Sequence, residues 1–199
     1  MIPESLYLID RKAALVEAWR EAFAGCKQVR AERGDYFDFP ADAMVSPANS
    51  FGFMGGGLDL AIRETLGADI QARVQNRILE KHHGELPVGC AEIVETGHAR
   101  WPYLICAPTM RVPEDVSGSL NAYLAFRAVL LAVKRFNDAT GTAAIQSVLA
   151  PGLATATGRM PPRRCALQMR VAYDQLNASP TIDSFAKIRR QHREMQQTR

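Results

Sequence analysis

Apolar positions along the chain fall into two spacings, short runs of strand character and longer runs with a helical period. Ser5 to Ile9 (SLYLI) predicts a strand, followed by a helix over Arg11 to Ala24 that Gly25 closes, since glycine takes a left-handed cap at least cost. Lys27 to Ala31 and Ala43 to Ser46 predict second and third strands. Leu58 to Leu66 predicts a helix ending at Gly67, and Asp69 to Lys81 an amphipathic helix with Asp69 near its cap. Ala91 to Glu95 and Tyr103 to Cys106 follow as strands. Leu120 to Phe136 is apolar over most of its circumference, the pattern of a helix packed on a sheet with little exposed face. Ala144 to Leu149 predicts a last strand and Arg163 to Leu176 a last helix. Strands alternating with helices imply an α/β fold with a central, mixed or mainly parallel sheet. There is no internal repeat and no linker before residue 180, so residues 1–179 read as one domain and 180–199 as a tail.

Composition agrees with a soluble globular domain. At 199 residues and 47% hydrophobic, the chain buries roughly 70% of its unfolded surface without needing disulfide staples. The longest stretch without a charge, Ala139 to Gly158, is broken by Pro151 and several glycines, so no transmembrane helix is expected. Met1 to Asp10 lacks a basic segment followed by a long apolar core and does not read as a secretion signal, which makes a cytoplasmic location the expectation.

The net charge of +3 is local. Residues Lys187 to Arg199 hold five Lys/Arg and one Glu, leaving 19 basic against 20 acidic residues elsewhere. The body is therefore neutral, and only the tail (Lys187, Arg189, Arg190, Arg193) offers nucleic-acid phosphates a cationic surface; otherwise it is a solvated helical or frayed terminus. Cys26, Cys90, Cys106 and Cys165 are scattered, and His82 and His83 point about 100° apart on a helix, so neither set predicts a metal site.

In open α/β sheets ligands bind beyond the carboxyl ends of strands, and two loops there are unusual. Ser46 to Asp59 (SPANSFGFMGGGLD) carries Gly55, Gly56 and Gly57 directly before a predicted helix. Three residues without side chains expose successive N–H groups beside a helix N-terminus, which suits a pyrophosphate, although a triple glycine also makes a flexible turn. The run is neither G-x-G-x-x-G nor a P-loop, so the standard dinucleotide and nucleotide-hydrolase readings fail. Pro151 to Pro162 (PGLATATGRMPP) leaves another strand and either wraps a second side of the same anion or is a plain β-to-α connector.

These segments together resemble the macrodomain, the ADP-ribose-binding fold. Gly34 to Gly57 resembles its opening, with a Gly-Asp pair, a strand, an Asn-bearing turn and a glycine-rich loop; Pro151 to Pro162 resembles its phosphate-wrapping segment, and Tyr103 to Pro108 (YLICAP) the strand before its variable loop. The resemblance spans residues 5 to 177 and implies a three-layer α/β/α sandwich. It also implies that Asp35 accepts a hydrogen bond from the adenine amino group, with Tyr36 near the base, and that Asn49 holds hydroxyls of the distal ribose. Gly55, Gly56, Gly57 and Leu58 at the helix start would hold one phosphate, and Thr155, Ala156, Thr157 and Gly158 the other. Asp59 resembles the aspartate that follows the glycine run in macrodomains cleaving acyl-linked ADP-ribose, where it would orient or deprotonate water; as a residue of a first helical turn it also complements the helix dipole. Asp35 as a turn former and Asn49 as a loop-stabilising amide are the structural alternatives.

Three departures from the family stand out. Ser46 occupies the place of the first Asn of the turn, Ala154 and Ala156 stand where glycine is expected, and the first loop has no lysine for covalent chemistry. The implied function is ADP-ribose binding with hydrolysis of an ADP-ribosyl linkage through Asn49 and Asp59, the alternative being a non-catalytic reader of ADP-ribosylated partners. No cofactor and no membrane partner is expected.

Overall fold

A computed structural model describes residues 2–198. Six strands, β1 (Ser5–Asp10), β2 (Val29–Arg33), β3 (Ala43–Ser46), β4 (Glu92–His98), β5 (Trp101–Cys106) and β6 (Ser147–Ala150), form one sheet in the order β2-β1-β6-β3-β5-β4. Every neighbouring pair is parallel except β4 with β5. Leu6 of β1 aligns with Val29 on one side and Val148 on the other, and Val45 of β3 aligns with Ile105.

The period of two along each strand sorts the core into two layers. Leu6, Leu8, Val45, Ile105 and Val148 pack with α1 (Ala13–Ala22), α4 (Asn121–Thr140) and α5 (Pro162–Asn177). Their strand neighbours Ile9, Met44, Leu104 and Leu149 pack on the opposite face with α2 (Gly57–Leu66) and α3 (Asp69–His82). The fold is thus a three-layer α/β/α sandwich. Among the described residues no helix is long and apolar enough to cross a membrane, and no group of three His, Cys, Asp or Glu side chains could hold a metal.

Where element boundaries differ from the sequence expectation, side-chain hydrogen bonds explain the difference. The first helix begins two residues late because the Lys12 N–H bonds Oδ1 of Asp10 at 2.9 Å, leaving Asp10 to Lys12 as a turn. Strand β6 starts at Ser147, not Ala144, because Asp42 Oδ2 takes the N–H groups of Gln146 and Ser147 while the Asn137 amide brackets Ile145. The tail forms α6 (Phe185–Gln197), whose second half lies on α5: Met195 is buried and its carbonyl accepts from Gln168, and Arg164 donates to the Thr198 carbonyl.

Candidate functional site

The carboxyl ends of β1, β6, β3 and β5 lie side by side, so the loops leaving them share one end of the sheet. They enclose a cleft of about 560 Å³, walled by Asn49, Gly55 to Asp59, Gly152, and Ala154 to Gly158. A second cavity of about 350 Å³, lined by Gly34, Asp35, Tyr36 and Phe37, adjoins it. Asp10, Lys12, Gly57, Leu58 and Pro151 line both, so the two are halves of one groove.

The glycine-rich loop is tied down on its outer side and open on its inner side. Gln71 of α3 accepts the Met54 N–H at 2.8 Å, and Gly52, at φ +67°, sits so close to α3 that a Cβ would lie 2.8 Å from Val74. By contrast, a Cβ on Gly55, Gly56 or Gly57 would meet nothing within 4 Å. The protein's own packing does not demand glycine at Gly55 or Gly56; only Gly57, at φ +57°, needs it for backbone conformation. The bare backbone faces open cleft beside the start of α2, where unsatisfied N–H groups and the helix dipole favour an anion.

The opposing loop is tightly built. Gly158 has no room for a Cβ, which would lie 2.6 Å from the Ala154 carbonyl and 2.7 Å from Val116. Gly152 is equally confined, with Leu15 and Thr155 Oγ1 each 2.4 Å from the would-be Cβ. Ala154 adopts φ +60°, the left-handed region that costs a residue with a Cβ roughly 1 kcal/mol, whereas Ala156 lies outside it. Of the two alanines where glycine was expected, only Ala154 bears strain. Its carbonyl takes the Met160 N–H at 2.9 Å, closing the loop on itself.

Asp59, the third residue of α2, lies at the cleft wall with Oδ1 accepting a 2.7 Å hydrogen bond from the hydroxyl of Ser46, which is buried at the end of β3. Burial pushes the Asp59 carboxyl up to about 6, and the Ser46 hydrogen bond pulls the other way. Asn49 lines the same cleft, but its amide is engaged locally: Nδ2 donates to the Phe53 carbonyl at 2.8 Å, and Oδ1 accepts from the N–H groups of Phe51 and Phe53. Asp35 stands in the second cavity, where the Phe37 N–H and the Arg11 guanidinium hold its carboxyl below the ordinary range. The Tyr36 ring borders that cavity, while its hydroxyl lies 2.8 Å from the Val45 and Leu149 carbonyls and accepts the Val45 N–H, fixing β3 to β6 from below.

Sequence reasoning passed over Lys12 and Gly152. Lys12 reaches across the groove to donate from Nζ to the Thr155 carbonyl at 2.9 Å. β1 also ends at this edge of the sheet, but the helical period in the sequence continues over Arg11 and Lys12 and masks the turn.

A three-layer sandwich with a glycine-rich loop and a second anion-facing loop over the same strand ends is the architecture of macrodomains. The Macro domain family model matches residues 45–169, and the chain belongs to this family. A protein of Aquifex aeolicus is 30% identical over 141 residues, covering 71% of this chain and 78% of that one. A Streptomyces griseus protein named for its macro domain is 35% identical over 94 residues, 46% of this chain and 53% of its own length. Among solved structures, the macrodomain of Mycobacterium tuberculosis DarG matches with a TM-score of 0.59 at 21% identity, over 72% of this chain and 88% of that one. A variant of the Oceanobacillus iheyensis macrodomain solved with ADPR matches with a TM-score of 0.59 at 15% identity, over 90% and 83%. At these identities the structures attest the shared fold.

Proposed function

We propose that the protein binds ADP-ribose, free or attached to a partner, and hydrolyses the ADP-ribosyl linkage. The observation that carries this reading is the single groove running from Asp35 past two anion-facing loops to a buried-side carboxylate, Asp59. The order of its parts matches the ligand: an acceptor-only carboxylate for the adenine amino group, backbone N–H groups on both sides for the diphosphate, and Asp59 beyond them for the distal ribose. The Oceanobacillus relative solved with ADPR supports the ligand class.

In this reading Ser46 holds one oxygen of Asp59, leaving the other to accept a proton from water. The water oxygen bonds to the anomeric carbon, the bond from that carbon to the acyl oxygen breaks, and the carboxylate leaves with its electron pair. The proton lost by water goes to Asp59. A carboxyl near 6 is a stronger base than an ordinary carboxylate yet is mostly ionised at neutral pH, and such positioned general bases contribute roughly 10²–10⁴ in rate. The diphosphate anchored by both loops fixes the ribose for that attack.

The engaged Asn49 amide favours the second reading, a binding module without turnover, because both of its polar atoms already serve the loop. Two measurements decide. Calorimetry with ADP-ribose should give a saturable isotherm, and absence of binding at millimolar ligand sinks both readings. Wild type should then release ADP-ribose from a glutamate-linked peptide and Asp59→Asn should lose turnover while retaining binding. Binding without turnover leaves the reader.

A further inference from the structure

We infer that the turn after β1 is a third wall of the site and that Lys12 is its diphosphate-contacting cation, so that the groove selects ligands by phosphate charge as well as by base; this rests on the ligand class proposed above. Among the described residues lining the larger cavity, Lys12 is the only lysine or arginine. It also lines the smaller, base-side cavity, so it stands at their junction, where a diphosphate between an adenosine and a second ribose would pass. Both cavities lie against the N-terminus of α1, whose cap residue is Lys12 itself.

The turn's geometry holds this ammonium group in place. Asp10 Oδ1 fixes the Lys12 backbone N–H at 2.9 Å, and the turn is packed against the second loop so closely that a Cβ on Gly152 would lie 3.0 Å from Asp10 Oδ2. Of the three donors on Nζ, one reaches the Thr155 carbonyl, which leaves two for a ligand. The same contact covers a carbonyl oxygen whose partial negative charge would otherwise face an incoming phosphate. The neighbouring cation, Arg11, is committed to Asp35 at the base end. Two consecutive basic residues are thus divided between the two halves of the groove, Arg11 with the base-reading carboxylate and Lys12 with the phosphate loop. Both precede residue 45, outside the segment that the family model matches.

The test compares wild type, Lys12→Met and Lys12→Arg, measuring ADP-ribose, ADP and inorganic pyrophosphate by calorimetry and adenosine by NMR titration. Lys12→Met should weaken the phosphate-bearing ligands roughly ten-fold or more, the loss of one charge-assisted contact, and leave adenosine unchanged. Lys12→Arg should recover most of that loss. Equal ADP-ribose affinity in wild type and Lys12→Met overturns the inference. So does a parallel loss for adenosine, which would mean that the residue merely shapes the turn. If wild type binds pyrophosphate through Lys12 but not ADP-ribose, the ligand class falls and the cation's role stands.

Discussion

Ser46 and Asp59 are thirteen residues apart in sequence, yet the hydroxyl of one meets the carboxylate of the other at 2.7 Å where β3 ends and α2 begins. The small Ser46 side chain, where an asparagine was expected, therefore does not leave a gap. It supplies a donor to a carboxylate that the fold has half-buried at the positive end of a helix. Burial raises the Asp59 carboxyl to about 6 and the Ser46 bond limits the rise.

A pH profile follows from that balance. If ionised Asp59 is the base, turnover falls as pH drops through about 6. Ser46→Ala removes the contribution favouring the charged form, so the acid limb should move to higher pH, by about one unit. Steady-state rates between pH 4.5 and 8.5 on the glutamate-linked substrate check this; an unmoved limb disconnects the pair from catalysis.

Stability should respond with the opposite preference. A carboxyl raised in the folded state binds its proton more tightly there than in the unfolded chain. Its ionisation therefore costs stability progressively as pH rises from about 4 to about 6, and the full cost remains above. Asp59→Asn mimics the neutral acid and keeps an acceptor for Ser46. It should stabilise the protein by about 3 kcal/mol at pH 7.5 and give little gain at pH 4, as read by urea denaturation at both pH values.

Legibility divided along a physical line. Period-two and period-3.6 patterns depend on burial, which repeats along an element, so all six strands and the five helices expected before residue 180 were readable with end errors of a few residues. The glycine run and the loop over residues 151–162 were readable because composition alone marks them. The engagement of Asn49 with Phe53, the left-handed Ala154 and the reach of Lys12 to Thr155 are relations between a side chain and one backbone atom, and no period encodes them. The sequence marks both Ala154 and Ala156 as departures from glycine, but which of them takes a positive φ depends on how the loop closes on Met160.

Two glycines in the groove should fail differently. Gly56 has extended backbone, φ −161°, and open space where a Cβ would go, so Gly56→Ala should leave thermal stability unchanged and weaken ADP-ribose by blocking close backbone approach. Gly158→Ala sets a Cβ 2.6 Å from the backbone carbonyl of Ala154, which cannot swing aside like a side-chain tip, so it should lower stability by about 1–3 kcal/mol as well as binding. Melting curves and calorimetry on the pair separate ligand clearance from loop construction; equal melting shifts would contradict both assignments.

Removal of residues 180–199 should leave a folded, ligand-binding domain. The helix α6 contributes one well-buried side chain, Met195, and a few hydrogen bonds to α5. None of its partners is stranded without it: Gln168 still donates to the Ser119 carbonyl at 2.9 Å and accepts the Tyr123 N–H at 3.1 Å, and Arg164 still donates to the Ser117 carbonyl. Burying one methionine is worth about 1.5–3 kcal/mol, and ordering the helix offsets part of that, since nearly all its other residues are exposed. At roughly 2–4 °C per kcal/mol for a chain of this size, the melting temperature should fall by less than about 8 °C. ADP-ribose affinity should not change, because no residue beyond Gly158 lines either cavity. The truncated protein also loses three net positive charges, so its affinity for a polyanion such as heparin should drop while ADP-ribose binding holds. A fragment that fails to fold would make α6 part of the domain instead of an appendage to it.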